Sequence, residues 1–211
     1  MLIPTMNDAD KRKQAIEDSI EIKRYYAHVM QKKLCMEIRK YNKFPGILKT
    51  SYVTKNNNKY YLIIRAVSRN ALDKAHWCFI YTIMDSNEGK YAMIAVNQPT
   101  GIESFQIYAP HLFARYTERY GVKMYEEERI HKFMEDSAIL DYGGVREYEK
   151  GKVMSLVNGG AILGDIEGDI IVFKTFVDNE RLREEQMEIG DIARANFNKR
   201  VELCKSIYKM K

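Results

Sequence analysis

Two polar turns constrain this chain more than anything else in it. Lys55-Asn56-Asn57-Asn58-Lys59 stands between the β-forming runs Thr50–Val53 and Tyr60–Val67, and Ser86-Asn87-Glu88-Gly89 between His76–Asp85 and Tyr91–Asn97. Asparagine and glycine accept the positive φ of tight turns, so each pattern reads as a β-hairpin. A fifth run follows at Ser104–Tyr108. Further runs stand at Val153–Val157, Ala161–Ile166 and Ile170–Val177, the last two separated by Glu167-Gly168-Asp169. Hairpins in series predict an antiparallel sheet of about six to eight strands, hence an α+β fold.

Helical patterns frame and interrupt the strands. Ile16, Ile20, Ala27, Met30, Leu34, Ile38 and Tyr41 recur at spacings of three, four and seven, one apolar stripe along a helix from residue 8 to about 43. Asn7 and Asp8 supply a cap, and Phe44-Pro45-Gly46 stops the helix. Two short helices are expected at Pro110–Tyr120, ended by Gly121, and at Tyr125–Asp136. A final helix from Asp178 or Asn179 to about residue 208 carries the stripe Leu182, Ile189, Ala193, Phe197, Val201, Cys204 and Tyr208. The expected architecture is one domain over 1–211. An N-terminal basic helix occupies 1–45, a sheet core with two inserted helices 46–177, and a C-terminal helix 178–211. The sheet carries its helices on one face, and the two long terminal helices pack on each other or join a homodimer.

Composition narrows the function classes. The chain is 45% hydrophobic and 30% charged, which is globular rather than disordered. Apolar runs such as Ile170–Phe173 fall far short of the roughly 20 residues a membrane span needs. Asp8 and Asp10 precede Lys11-Arg12-Lys13, unlike the basic-then-apolar order of a signal peptide, so a cytoplasmic location is expected. Cys35, Cys78 and Cys204 are odd in number and far apart, which favours reduced thiols over disulfides or zinc. No cofactor or metal is expected.

Charge is uneven. Residues 1–60 hold 13 Lys/Arg against 6 Asp/Glu, whereas the rest of the chain is slightly acidic. Lys11, Arg12, Lys23, Arg24, Lys32 and Lys33 are the candidate contacts to a nucleic-acid backbone; a solvated helix face is the plainer alternative. Tyr25, Tyr26, Tyr52, Tyr60 and Tyr61 lie among these cations, where aromatic rings can stack on unpaired bases.

The sharpest chemical constellation is Pro110–Tyr120. On a helix His111, Arg115 and Arg119 fall within about 80° of one another, while Leu112, Phe113, Tyr116 and Tyr120 form a separate apolar face. A first-turn imidazole is kept neutral by the helix dipole and can take a proton. Two guanidinium groups one turn apart can hold a phosphate. Strand alternation at Ile170–Val177 turns Lys174 and Phe176 to one side and Phe173, Thr175 and Val177 to the other, so an ammonium or hydroxyl can stand beside a docked helix. Glu127, His131 and Glu135 share a helix face at i, i+4 and i+8; without His-Glu-x-x-His they read as a solvated acidic face.

His-x-x-x-Arg-x-x-x-Arg on a helix, followed by Gly-rich strands and a last strand carrying Lys174-Thr175, resembles the metal-independent barnase, RelE and colicin-type ribonuclease domains. The resemblance covers about residues 110–177. It implies RNA cleavage without metal, with His111 as acid or base, Arg115 and Arg119 on phosphate, Thr175 in the catalytic set and Lys174 binding substrate. The alternative carried beside it is a non-catalytic nucleic-acid-binding or homo-oligomeric scaffolding module.

Overall fold

A computed structural model describes residues 1–26, 31–44, 46–66, 77–97, 103–119, 121, 123–139, 145–182, 184, 186–188 and 191. Its helices are α1 (Asp8–Tyr25), α2 (Gln31–Arg39), α3 (Pro110–Arg119) and α4 (Glu126–Ile139). Its strands are β1 (Gly46–Val53), β2 (Lys59–Ala66), β3 (Trp77–Ser86), β4 (Gly89–Asn97), β5 (Glu103–Tyr108), β6 (Arg146–Glu149), β7 (Lys152–Val157), β8 (Gly160–Glu167) and β9 (Ile170–Asp178).

Among the described residues the nine strands form one sheet in the order β1-β2-β3-β4-β5-β9-β8-β7-β6. It is two antiparallel meanders laid side by side. The seam is the pair β5–β9, which is parallel, with Phe105 opposite Ile170 and Tyr108 opposite Phe173. The helices α3 and α4 lie in the connection between the meanders, as a parallel neighbour requires a long crossover. The α+β class is therefore as expected, with one strand more than the upper expectation and β6 unforeseen.

The expected packing on one face is corrected: helices cover both. Along β2 the even residues Tyr60, Leu62, Ile64 and Ala66 pack under α1 and α2, with Ala15, Ile22 and Ile38. The odd residue Ile63 joins Leu112, Phe113 and Tyr116 of α3 and Ile130, Phe133 and Met134 of α4. A strand buried on both faces shows no apolar–polar alternation, and Tyr-Tyr-Leu-Ile-Ile is such a run. Each large side chain that leaves water here contributes about 1.5–3 kcal/mol before entropy is counted.

Of the N-terminal stripe, Ile16 and Ile20 lie in α1 and Leu34 and Ile38 in α2, Tyr41 follows the end of α2, and Ala27 and Met30 lie outside the described residues. Asn7 caps α1 by accepting from the Asp10 amide at 2.9 Å. Most of the expected C-terminal helix also lies outside the described residues. Of that segment, Asn179–Arg181 is a single 3₁₀ turn, and Leu182 packs against the small cluster of Met154, Leu156 and Ala161.

One irregularity decides the geometry of β9. Leu163 pairs with Thr175 but Gly164 pairs with Phe173, so Lys174 is an extra residue, a β-bulge. Phe173 and Phe176 consequently point to the same face, into the α3–α4 core. Gly164 permits the bulge: a Cβ at that position would collide with the carbonyl of Val172.

Candidate functional site

Helix α3 folds as its sequence dictates. Pro110 opens it, Leu112, Phe113 and Tyr116 are buried, and His111, Arg115 and Arg119 lie on the outer side. Nε of Arg115 donates to Nε2 of His111 at 3.3 Å, and its Nη1 meets Glu118 at 3.0 Å. Arg119 turns away to Asp178, 3.3 Å from its Nε. The two ends of the helix thus line different cavities. His111 shares one of about 340 Å³ with Lys90, Glu126 and Arg129. Arg119 shares another of about 350 Å³ with Asp178 and Glu180.

Lys174 and Thr175 do not join this group. Lys174 holds Asp165 and Glu167, each at 2.8 Å, and Lys152 holds the same Asp165 at 2.7 Å. Directly paired residues of an antiparallel ladder share a face. Thr175 therefore shares the face of Leu163, whose cluster holds Met154 and Leu156, and Lys174 shares that of its acidic partners. The α3 helix packs on the other face, where Tyr116 meets Phe176 edge-on at 5.2 Å. Simple alternation fails because the bulge shifts the period by one residue at Lys174. The five residues read together from the sequence are thus a contacting pair, His111 and Arg115, and three residues placed elsewhere.

The N-terminal cations also divide. Lys11 is buried, lies 3.6 Å from Asp8 and sits above the ring of Tyr91. Arg12 is held by Asp169 at 2.7 Å. Lys11 thus lies against the sheet, and the charge of Arg12 is paired at the surface. Lys23, Arg24, Lys32 and Lys33 are exposed.

A cluster that the sequence reading meets only in part lies between β1, β2, β3 and α4. His131 is half-buried, its Nδ1 is 2.7 Å from the Tyr81 hydroxyl, and its ring meets Tyr61 edge-on at 4.4 Å. Glu127 stands 3.8 Å from Nε2 and accepts from the Tyr61 hydroxyl at 2.9 Å. Lys49, Tyr61, Tyr81, His131 and Glu135 line a cavity of about 370 Å³. Glu127, His131 and Glu135 had the right spacing but were read as solvated. The missing signal was the β2–β3 register, which sets Tyr61 opposite Tyr81. Among the described residues no group of three or more His, Cys, Asp or Glu is arranged to hold a metal.

Burial holds the His131 pKa below its ordinary value; Glu127 opposes the shift and Lys59 and Lys49 reinforce it. A histidine unfolds to a pKa near 6.5. Between that value and the lower folded one, the unfolded chain binds more protons, so stability falls as pH drops through about 6.5 and levels off below the folded pKa. Urea melts at pH 7.5 and 5.5 are expected to show a larger loss for the wild type than for His131→Gln. Equal losses would mean that His131 titrates alike folded and unfolded.

No protein-family model, curated protein or solved structure matches the chain. No helix among the described residues is long and apolar enough to cross a membrane.

Proposed function

We propose that this protein is a non-catalytic nucleic-acid-binding module that lays the end of α1 and the outer face of α2 along a phosphate backbone. The observation that carries this is the orientation of α2. Leu34 and Ile38 dock on Leu48, Ile64 and Ala66, which turns Lys32, Lys33 and Arg39 to solvent. From residue 23 to 43 the chain has seven Lys/Arg and one acid, Glu37, which pairs with Lys40 at 2.7 Å. Lys32, Lys33 and Arg39 form no ion pair among the described residues, so their charge is available to phosphates.

The test is fluorescence anisotropy with labelled RNA and DNA at low salt. The combined variant K32E/K33E/R39E is expected to bind at least about tenfold more weakly, with an unchanged melting profile. Wild-type affinity that survives the triple reversal would sink the reading.

RNA cleavage without metal is the second reading, and the contact between His111 and Arg115 favours it: a base and a phosphate-holding cation stand together. Incubation of the protein with mixed RNA in EDTA separates the two. Cleavage that disappears in His111→Ala supports a catalytic α3; intact RNA leaves the binding module.

A further inference from the structure

Tyr25, Tyr26, Tyr52, Tyr60 and Tyr61 occur among the N-terminal cations, and the fold sorts them. Tyr60 is buried and donates to Asp18. Tyr61 lies on the opposite face, bound to Glu127, with the Lys59 ammonium 4.9 Å above its ring. Tyr26 is wedged between the cores under α1 and α2. Tyr25 belongs to none of the core clusters among the described residues. It is half-buried, rests on Tyr52 with ring centres 4.8 Å apart, and is met edge-on by Tyr26 at 5.4 Å.

The ring is held firmly from beneath. The Tyr52 hydroxyl donates to Glu21 at 3.1 Å, and the same oxygen accepts from the Lys55 amide at 3.0 Å. That shared oxygen brings the exposed Lys55 beside Tyr52, while Arg24 adjoins Tyr25 in the chain and the cations of α2 follow. Exposed Glu17, two turns before Arg24, marks where a polyanion would leave α1.

We propose, building on the nucleic-acid reading, that the ligand is single-stranded and that an unpaired base stacks on the Tyr25–Tyr52 pair while α2 and Lys55 hold the flanking phosphates. A half-open aromatic ring gains nothing from duplex, whose bases are already stacked on one another. A free base of any identity can stack on it. A cationic surface alone would bind both forms.

The experiment compares a labelled oligo-uridylate with a mixed-sequence DNA duplex of equal length, using wild type, Tyr25→Ala, Tyr25→Leu and Tyr25→Phe. Tyr25→Ala is expected to weaken single-strand binding roughly tenfold. Duplex affinity and the salt dependence should not change, since no charge is removed. Tyr25→Phe keeps the ring and should retain binding. Tyr25→Leu keeps apolar bulk without the ring; it should lose as much as the alanine variant, and it carries the comparison if the alanine variant does not fold. Equal single-strand affinity in wild type and the leucine variant overturns the inference but leaves the basic surface as a binding site. So does duplex bound as tightly as single strand. Binding of neither probe removes the nucleic-acid reading itself, and the stacking inference with it.

Discussion

Asp18→Ala is expected to destabilise the fold by about 3–5 kcal/mol. The carboxylate is fully buried. It accepts from the side-chain amides of Asn56 at 2.9 Å and Asn58 at 2.6 Å and from the Tyr60 hydroxyl at 3.1 Å. Asn58 in turn accepts from the Leu2 amide at 2.6 Å. One side chain of α1 thus gathers the β1–β2 turn, the second residue of β2 and the N-terminus. Three donors satisfy the buried charge, so its desolvation is repaid only while all are present. Alanine leaves two amides and a phenol without an acceptor, each costing about 1–3 kcal/mol and not fully additively. At roughly 2–4 °C per kcal/mol for a chain of this size, the midpoint of thermal unfolding should fall by about 6–20 °C. A loss below about 1 kcal/mol would mean that water replaces the carboxylate at little cost.

The same cluster shows how far the sequence could be read. Asn56, Asn57 and Asn58 signalled a turn, and Asn57 has φ +58°. Nothing local revealed that the two flanking asparagines also serve a buried acid some forty residues earlier, because that contact depends on how α1 crosses the sheet. The strands and the α3 and α4 helices were legible from period and punctuation. The division of helices between two faces was not, since a run such as Leu62-Ile63-Ile64 looks the same whether one face or both are covered.

The candidate site was legible in part for a similar reason. His111, Arg115 and Arg119 needed only helical spacing, and that spacing is present. Convergence with Lys174 and Thr175 needed strict alternation along β9, and a single extra residue opposite Gly164 removes it. Among the cations, exposure separated residues that composition could not. Lys11 and Arg12 belong to the same helix as Lys23 and Arg24, yet their charges are paired with Asp8 and Asp169.

Raising salt fourfold, from 50 to 200 mM, is expected to weaken binding to single-stranded RNA by about 100-fold. Five phosphates held by the α1–α2 surface would give a log–log slope near −3.5, at about 0.7 per phosphate. Neutralising Lys32, Lys33 or Arg39 individually should flatten the slope by about 0.7 each, because each gives up one released counterion. Arg115→Ala and Arg119→Ala should leave it unchanged. Those guanidinium groups already face Glu118 and Asp178, at 3.0 Å and 3.3 Å, and an incoming phosphate would have to break those pairs. The RNA-cleavage reading requires the opposite, since there Arg115 and Arg119 are the groups that hold the phosphate. A slope that flattens in the α3 variants and not in the α2 variants would move the contact surface to α3 and make His111 the residue to pursue.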